Sequence, residues 1–478
     1  MMDEGTNPSA EAAVLEHRPG AWETVRLAIA GGEQDFTAGP IGRAIVLLSI
    51  PMVLEMVMES VFAVTDVFFV SRLGVNAVAA VGFTEAMICI VYAIAIGLSI
   101  ATTAMVARRV GEKDREGAAV ASVQAMAVGI ATSAVIAVPG VIFAKDLLRL
   151  MGGTPDLVAE GYGYTAVLIG GNASITLLFI INAIFRGAGD AAIAMRVLWM
   201  ANGINIVLDP CLIFGVGPFP EMGVTGAATA TTIGRGIGVL MQLWVLFRGS
   251  GRIRLYLSRL GLNFKVMLNL LRVSVGGIMQ FLIGTSSWVA LVRIIGHFGS
   301  DAVAGYTIAI RIIIFAILPS WGVANAAATL VGQNLGAKQP DRAETSVWRA
   351  GLYNMLFLVA LAIVFIVFAE QLIRLFTSDP EVVAYGVDCL RFVSYGYGFY
   401  AYGMVMVQAF NGAGDTRTPT IINFFCYWLF QIPLAYLLAH YTLLQATGVF
   451  LAITIAESLI AVAGILVFRL GKWKEQEI

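Results

Sequence analysis

The chain is short of charge. Asp, Glu, Lys and Arg make up 13% of its 478 residues, against roughly 25% in a soluble domain, and they nearly cancel at a net charge of −1. Such a chain has no basic footprint for nucleic acid. Histidine is scarcer still. His17, His297 and His440 are far apart, and no zinc or iron ligand spacing occurs. The four cysteines (Cys89, Cys211, Cys389 and Cys426) lie in apolar stretches, as buried thiols do and disulfide frameworks do not. No nucleophile and base can be paired from such scattered residues, so an intramembrane enzyme is the weakest reading, and no cofactor is called for. Residues 1–40 carry Asp3, Glu4 and Glu11 and lack the basic start and apolar core of a signal peptide. They read as a cytoplasmic tail with a short interfacial helix near 21–30.

What the chain has is apolar length. Hydrophobic residues make up 59% and the mean hydropathy is +0.84. About 20 apolar residues cross a bilayer as helix. Twelve runs qualify: 43–71, 77–107, 117–143, 157–185, 193–215, 223–247, 266–295, 302–332, 344–369, 381–410, 420–440 and 448–468. With the N-terminus inside, 22 of the 30 lysines and arginines fall in or beside inside segments. Only Arg72, Lys145, Arg149 and Arg374 fall outside. Positive charge marks the cytoplasmic side, so both termini are assigned to it. Residues 248–265 form a basic linker between residues 41–247 and 266–470, and 471–478 are a short tail.

The two halves repeat each other. Gly187-Ala188-Gly189-Asp190 returns as Gly412-Ala413-Gly414-Asp415, 225 residues later (412 − 187). The same shift carries Ala77-Val78-Ala79 onto Ala302-Val303-Ala304, Lys113 onto Lys338, and Gly223-Val224 onto Gly448-Val449. Six spans is an even number, so both halves start on the same side. The expected fold is therefore an all-α membrane protein of twelve helices, in two parallel six-helix bundles related by a pseudo-two-fold axis along the membrane normal.

Ionisable groups inside a span are costly and point to function. Asp66 lies in the first span and Asp209 in the fifth. Asn205 is four residues before Asp209, on the same helical face. Pro210 leaves the carbonyl of Ile206 without its helical donor. Thr231, in the sixth span, adds a hydroxyl. Each of the three side chains Asp66, Asp209 and Thr231 sits about 7–12 Å from the outer end of its helix, in one stratum. Such oxygens suit a hard cation or a shared proton. Adding 225 turns Asp66, Asn205, Asp209 and Thr231 into Leu291, Phe430, Leu434 and Ala456. A role in packing the common scaffold gives no reason for all four to become apolar. Glu55, Glu59 and Glu85 lie nearby, and Glu59 and Glu85 are candidates for a substrate cavity or for solvating a wet one. Arg311 either pairs with Asp388 or lines the cavity, Glu457 has no role assigned, and Tyr400 belongs to a tyrosine-rich tenth span that suits packing or cation binding.

Taken together, several segments resemble the multidrug and toxic compound extrusion (MATE) transporters over nearly all of residues 40–470. They are Pro51 with Thr65-Asp66-Val67-Phe68-Phe69-Val70-Ser71-Arg72-Leu73-Gly74; Arg186-Gly187-Ala188-Gly189-Asp190; Asn205-Ile206-Val207-Leu208-Asp209-Pro210; and Val331-Gly332-Gln333-Asn334-Leu335-Gly336-Ala337. The resemblance implies a V-shaped pair of bundles in a bacterial or archaeal inner membrane. It implies export of cationic or amphipathic organic compounds against inward H⁺ or Na⁺, by a chain expected to be monomeric. It is similar to the DinF-type branch, whose coupling site maps onto Asp66, Asn205, Asp209 and Thr231, a metal set only if Na⁺ is the ion. Phe62 stands where some members of that branch have tyrosine. Another branch places an acid in the seventh span, where this chain has Gln280, itself a candidate for lining the substrate cavity, and no acid. A flippase for a lipid-linked precursor shares the architecture, but it calls for a basic cavity, and the in-span charges here are mixed.

Overall fold

Each apolar run folds as helix, because a backbone in lipid must satisfy its own hydrogen bonds. The computed structural model describes residues 20–32, 34–249, 252–255 and 261–478. Arg18 and Arg259, two of the charges assigned to the inside, lie outside the described residues, as do His17 and the acids of the first 19 positions.

The first six spans are Ile41–Val70, Val75–Gly111, Arg115–Ile142, Pro155–Ala188, Ala191–Phe214 and Val224–Arg248. The last six are Phe264–Ile295, Ser300–Gly336, Pro340–Val367, Pro380–Ala413, Arg417–Tyr441 and Ala446–Arg469. An additional helix, Ala21–Ala30, precedes them. Two spans expected to be continuous are broken. The fourth breaks at Gly171 and the tenth at Gly396, where φ is −84° and −87° and ψ is close to zero. The tenth also carries Asp388, Arg391 and five tyrosines. Among the described residues, eleven helices are both long and apolar enough to cross on composition alone, and the tenth is the exception.

The 225-residue offset holds at the level of individual bonds. Val75–Gly111 maps onto Ser300–Gly336, Arg115–Ile142 onto Pro340–Val367, and Asn172–Ala188 onto Tyr397–Ala413, with the same first and last positions. Lys113 and Lys338 share a left-handed backbone, with φ of 60° and 59°. Gly189 and Gly414 close their helices in the same conformation, with φ of 89° and 87°. The offset fails in the eleventh span, where Phe424–Gln431 is a π-helix and its counterpart stretch in Ala191–Phe214 is ordinary α-helix.

The bundles meet at the end that carries the linker, through glycines. The backbone of Gly111 packs on that of Gln333, and the backbone of Gly336 packs on that of Arg108. Gly97 lies on Ser274 and Ile278, and Gly322 on Met52 and Val53. Gly111–Gln333 with Gly336–Arg108, and Gly97–Ile278 with Gly322–Val53, are the same two contacts seen from either side of the pseudo-two-fold, since the offset of 225 exchanges them. Toward the other end, Gly82 and Gly284 of the same helices have nothing within 4 Å of an added Cβ. The cleft between the bundles is thus closed at the linker end and open at the far end.

This crossing has no room for a side chain. Gly336→Val would drive a branched side chain into the Arg108 carbonyl, and backbone cannot yield as a flexible side chain can. The variant is expected to insert but to lose the state closed at the linker end, with transport below about one-tenth of the parent rate. Distances between spin labels on the two bundles check the cause, and unchanged distances would refute it.

The chain beyond the last span straps the same end. Trp473 is buried and stacks on Phe468, with ring centroids 4.6 Å apart. Lys474 bridges to Glu344 at 2.5 Å, and that hydrogen bond raises its pKa above the ordinary lysine value. Arg108, in the other bundle, donates to the carbonyl of Gln476.

Candidate cation-coupling site

Spans five and six pack closely because glycines allow it. Gly226 lies on the Leu212 backbone, and Gly234 on the Ala201 carbonyl and Asn205. These contacts flank Thr231 and bring its hydroxyl to the fifth span. Asn205 Nδ2 donates to Thr231 Oγ1 at 3.1 Å and to Asp209 Oδ1 at 3.4 Å. Asn205, Asp209 and Thr231 are all buried. Pro210 follows within the helix Ala191–Phe214.

Asp66 approaches from the first span, and Trp199 of the fifth span helps hold that helix by donating to the Leu54 carbonyl at 2.9 Å. The Asp66 and Asp209 carboxylates lie within electrostatic range of each other, and Arg235 lies within range of Asp66. Three oxygens here are buried without a hydrogen-bond partner: Asp66 Oδ1, Asn205 Oδ1 and Asp209 Oδ2. Buried polar atoms are nearly always paired, so a cluster of three unpaired acceptors on two acids and an amide is a place for a proton or a small hard cation. The donor set, all oxygen, fits either.

The other acids of the first span are already partnered. Glu59 accepts from Arg235 at 3.2 Å and from Asn202 at 3.1 Å. Arg235 is buried, and its guanidinium lies 5.4 Å from the Phe62 ring centroid and 6.0 Å from that of Tyr92. Phe62 therefore supplies a ring face where a tyrosine would add a hydroxyl. Glu55 is buried against Arg186 and Asn182, at 3.4 and 3.1 Å. Neither arginine was assigned a partner from sequence; a basic and an acidic residue buried at matching depth was the available signal. Glu85 and Arg311 are exposed and attract each other across the cleft between bundles. Asp388 has Arg391, not Arg311, as its charged neighbour. Gln280 is tied into the second bundle by Asn411, at 3.0 Å, and by the Thr416 carbonyl, at 3.2 Å. Tyr400 lines a separate cavity inside that bundle. Among the described residues, no group of three or more His, Cys, Asp or Glu side chains is arranged to hold a metal.

Two six-helix bundles on a pseudo-two-fold, hinged at one end around a cleft, define a secondary transporter. The MatE family model matches residues 51–211 and 277–437, once in each half. The chain belongs to that family and is a membrane transporter, not an enzyme. It is 27% identical over 445 residues to the probable multidrug resistance protein NorM of Thermotoga maritima, covering 92% of this chain and 94% of that one. It is 26% identical to the FAD transporter of Shewanella oneidensis, over 89% of this chain and 94% of that protein. Among solved structures, the outward-facing conformation of a multidrug resistance MATE family transporter of the MOP superfamily matches at 28% identity, with a TM-score of 0.86. That match covers 92% of this chain and 98% of the other.

Proposed function

We propose that the protein is a secondary antiporter that exports cationic or amphipathic organic compounds in exchange for H⁺ or Na⁺. The observation that carries this reading is the trio of unpaired buried oxygens on Asp66, Asn205 and Asp209. Relatives named multidrug resistance proteins support the class of cargo. In this reading the linker end faces the cytoplasm, consistent with its arginines and lysines. The ion enters from outside through the open cleft and settles among Asp66, Asn205, Asp209 and Thr231. Two acids with no ion between them repel; an ion or proton removes that repulsion and lets the first, fifth and sixth spans draw together. Loaded and empty sites then favour different bundle arrangements, which is the requirement for coupling. Substrate leaves on the outside as the ion binds, and reversal of the tilt delivers the ion inward.

Proteoliposomes loaded with an organic cation dye test the reading. Efflux should accelerate at least roughly tenfold under one imposed gradient, of pH or of Na⁺, relative to none. Equal rates with a pH gradient, a Na⁺ gradient and no gradient would remove the antiport reading. Export of a flavin dinucleotide in preference to cations would instead align the chain with its FAD-transporting relative.

A further inference from the structure

The offset that strips polar residues from the second bundle also adds some. Glu457, Tyr427, Gln431 and Tyr400 stand where the first half has Thr232, Asn202, Ile206 and Ile175. All four line a half-open cavity of about 280 Å³ formed by spans seven, eight, ten, eleven and twelve. Trp288, Tyr306 and Tyr397 complete its aromatic wall, and most of the remaining lining is aliphatic. Small-molecule sites begin at roughly this size, about 300 Å³.

The carboxylate is built in rather than stray. Tyr427 donates its hydroxyl to Glu457 Oε1 at 3.0 Å, and Ser287 donates to Gln431 Oε1 at 2.9 Å. Tyr427 and Gln431 both belong to the π-helix Phe424–Gln431. A π turn holds more residues than an α turn and rotates the side chains that follow, and such segments gather at functional sites. No lysine or arginine among the described residues pairs with Glu457. Glu457 is 11 residues from the start of its helix at Ala446 (457 − 446). That is about 16 Å of rise, near the middle of the bilayer.

An acid without a cation, facing rings and aliphatic side chains at mid-membrane depth, wants a positive charge that arrives with its own apolar surface. An inorganic ion brings none, and the wall offers too few oxygens to replace its water. We propose that this cavity is a binding site for a lipophilic organic monocation, with Glu457 as counter-ion and Trp288, Tyr306, Tyr397, Tyr400 and Tyr427 as its aromatic walls. The proposal rests on the reading of the chain as an exporter of such cations and places one of them in the second bundle, apart from the ion site of the first.

The test is equilibrium binding to the purified full-length protein, without any gradient. Ethidium, permanently charged, and phenanthridine, its uncharged ring system, are the probes. Glu457→Gln keeps the size and can still accept from Tyr427. It should weaken ethidium binding at least tenfold and leave phenanthridine within about twofold. Gly284 lines the cavity and has nothing within 4 Å of an added Cβ, so Gly284→Phe has room for its first carbon and puts a ring into the space. It should block both probes. Asp66→Asn should leave both unchanged. Parent-like ethidium binding by Glu457→Gln, or by Gly284→Phe, overturns the proposal, as does an equal loss of both probes in Glu457→Gln. Because no ion gradient enters, a failure of antiport leaves these outcomes readable, and a failure here leaves the ion site standing.

Discussion

Asp66→Asn reaches the membrane folded and loses ion-driven efflux of an organic cation dye by at least about tenfold. The substitution keeps the shape of the side chain and removes its charge. Asp66 Oδ1 has no hydrogen-bond partner, so no protein–protein bond is lost. What disappears is the repulsion toward Asp209 that ion binding is proposed to relieve, together with an attraction to Arg235, and with them the difference between loaded and empty states. Rates in proteoliposomes under the driving gradient, normalised to inserted protein, measure this. The dye should still equilibrate by exchange, since the cleft and the second bundle are untouched. Undiminished gradient-driven efflux would take Asp66 out of the coupling step.

The second large effect is on stability. Arg235→Met leaves Glu59 in the membrane with only Asn202 for company. Breaking a buried pair from one side costs about 3–5 kcal/mol. Glu59 keeps 28% of its side-chain surface exposed, so the lower end, about 3 kcal/mol, is the expected value. Arg235→Lys should recover only part, because a lysine ammonium lacks the planar fork that bonds Glu59 while lying over the Phe62 and Tyr92 rings. The double variant Arg235→Met with Glu59→Leu should recover most of the loss, since no unpaired charge remains. Unfolding midpoints in detergent for the four proteins decide it. Equal losses in the single and double variants would mean that Arg235 contributes through packing on the rings and not through the ion pair.

Much of this was legible without coordinates, for physical reasons. Apolar length at bilayer scale has few outcomes, and the offset of 225 aligns even the left-handed lysines. Asn205, Asp209 and Thr231 were grouped by helical spacing and depth, quantities that a sequence carries directly, and the structure joins them by hydrogen bonds. Other groupings depend on rotation between helices, which it does not carry. Glu59 looked free because its partner lies in the sixth span, 176 residues away. Gln280 looked available to a cavity but faces Asn411 inside its bundle. The aromatic chamber around Glu457 depends on a π-helix, and no period in Phe424–Gln431 announces one. The broken fourth and tenth spans belong to the same class, since Gly171 and Gly396 are two among 51 glycines.

The seam between the bundles has one more property. Its glycine contacts are symmetric, but its polar fasteners are not. Thr329 and Gln333 of the eighth span donate to the carbonyls of Arg186 and Gly187, at 3.2 and 2.9 Å. Both acceptors end the fourth span, and the Arg186 side chain reaches back to Glu55 and Ser99. Span four thus holds the clasp by its main chain and the first two helices by its side chain. A tilt of that one helix breaks both polar fasteners at once, while the glycine contacts of the first, second, seventh and eighth spans still hold the rest of the seam.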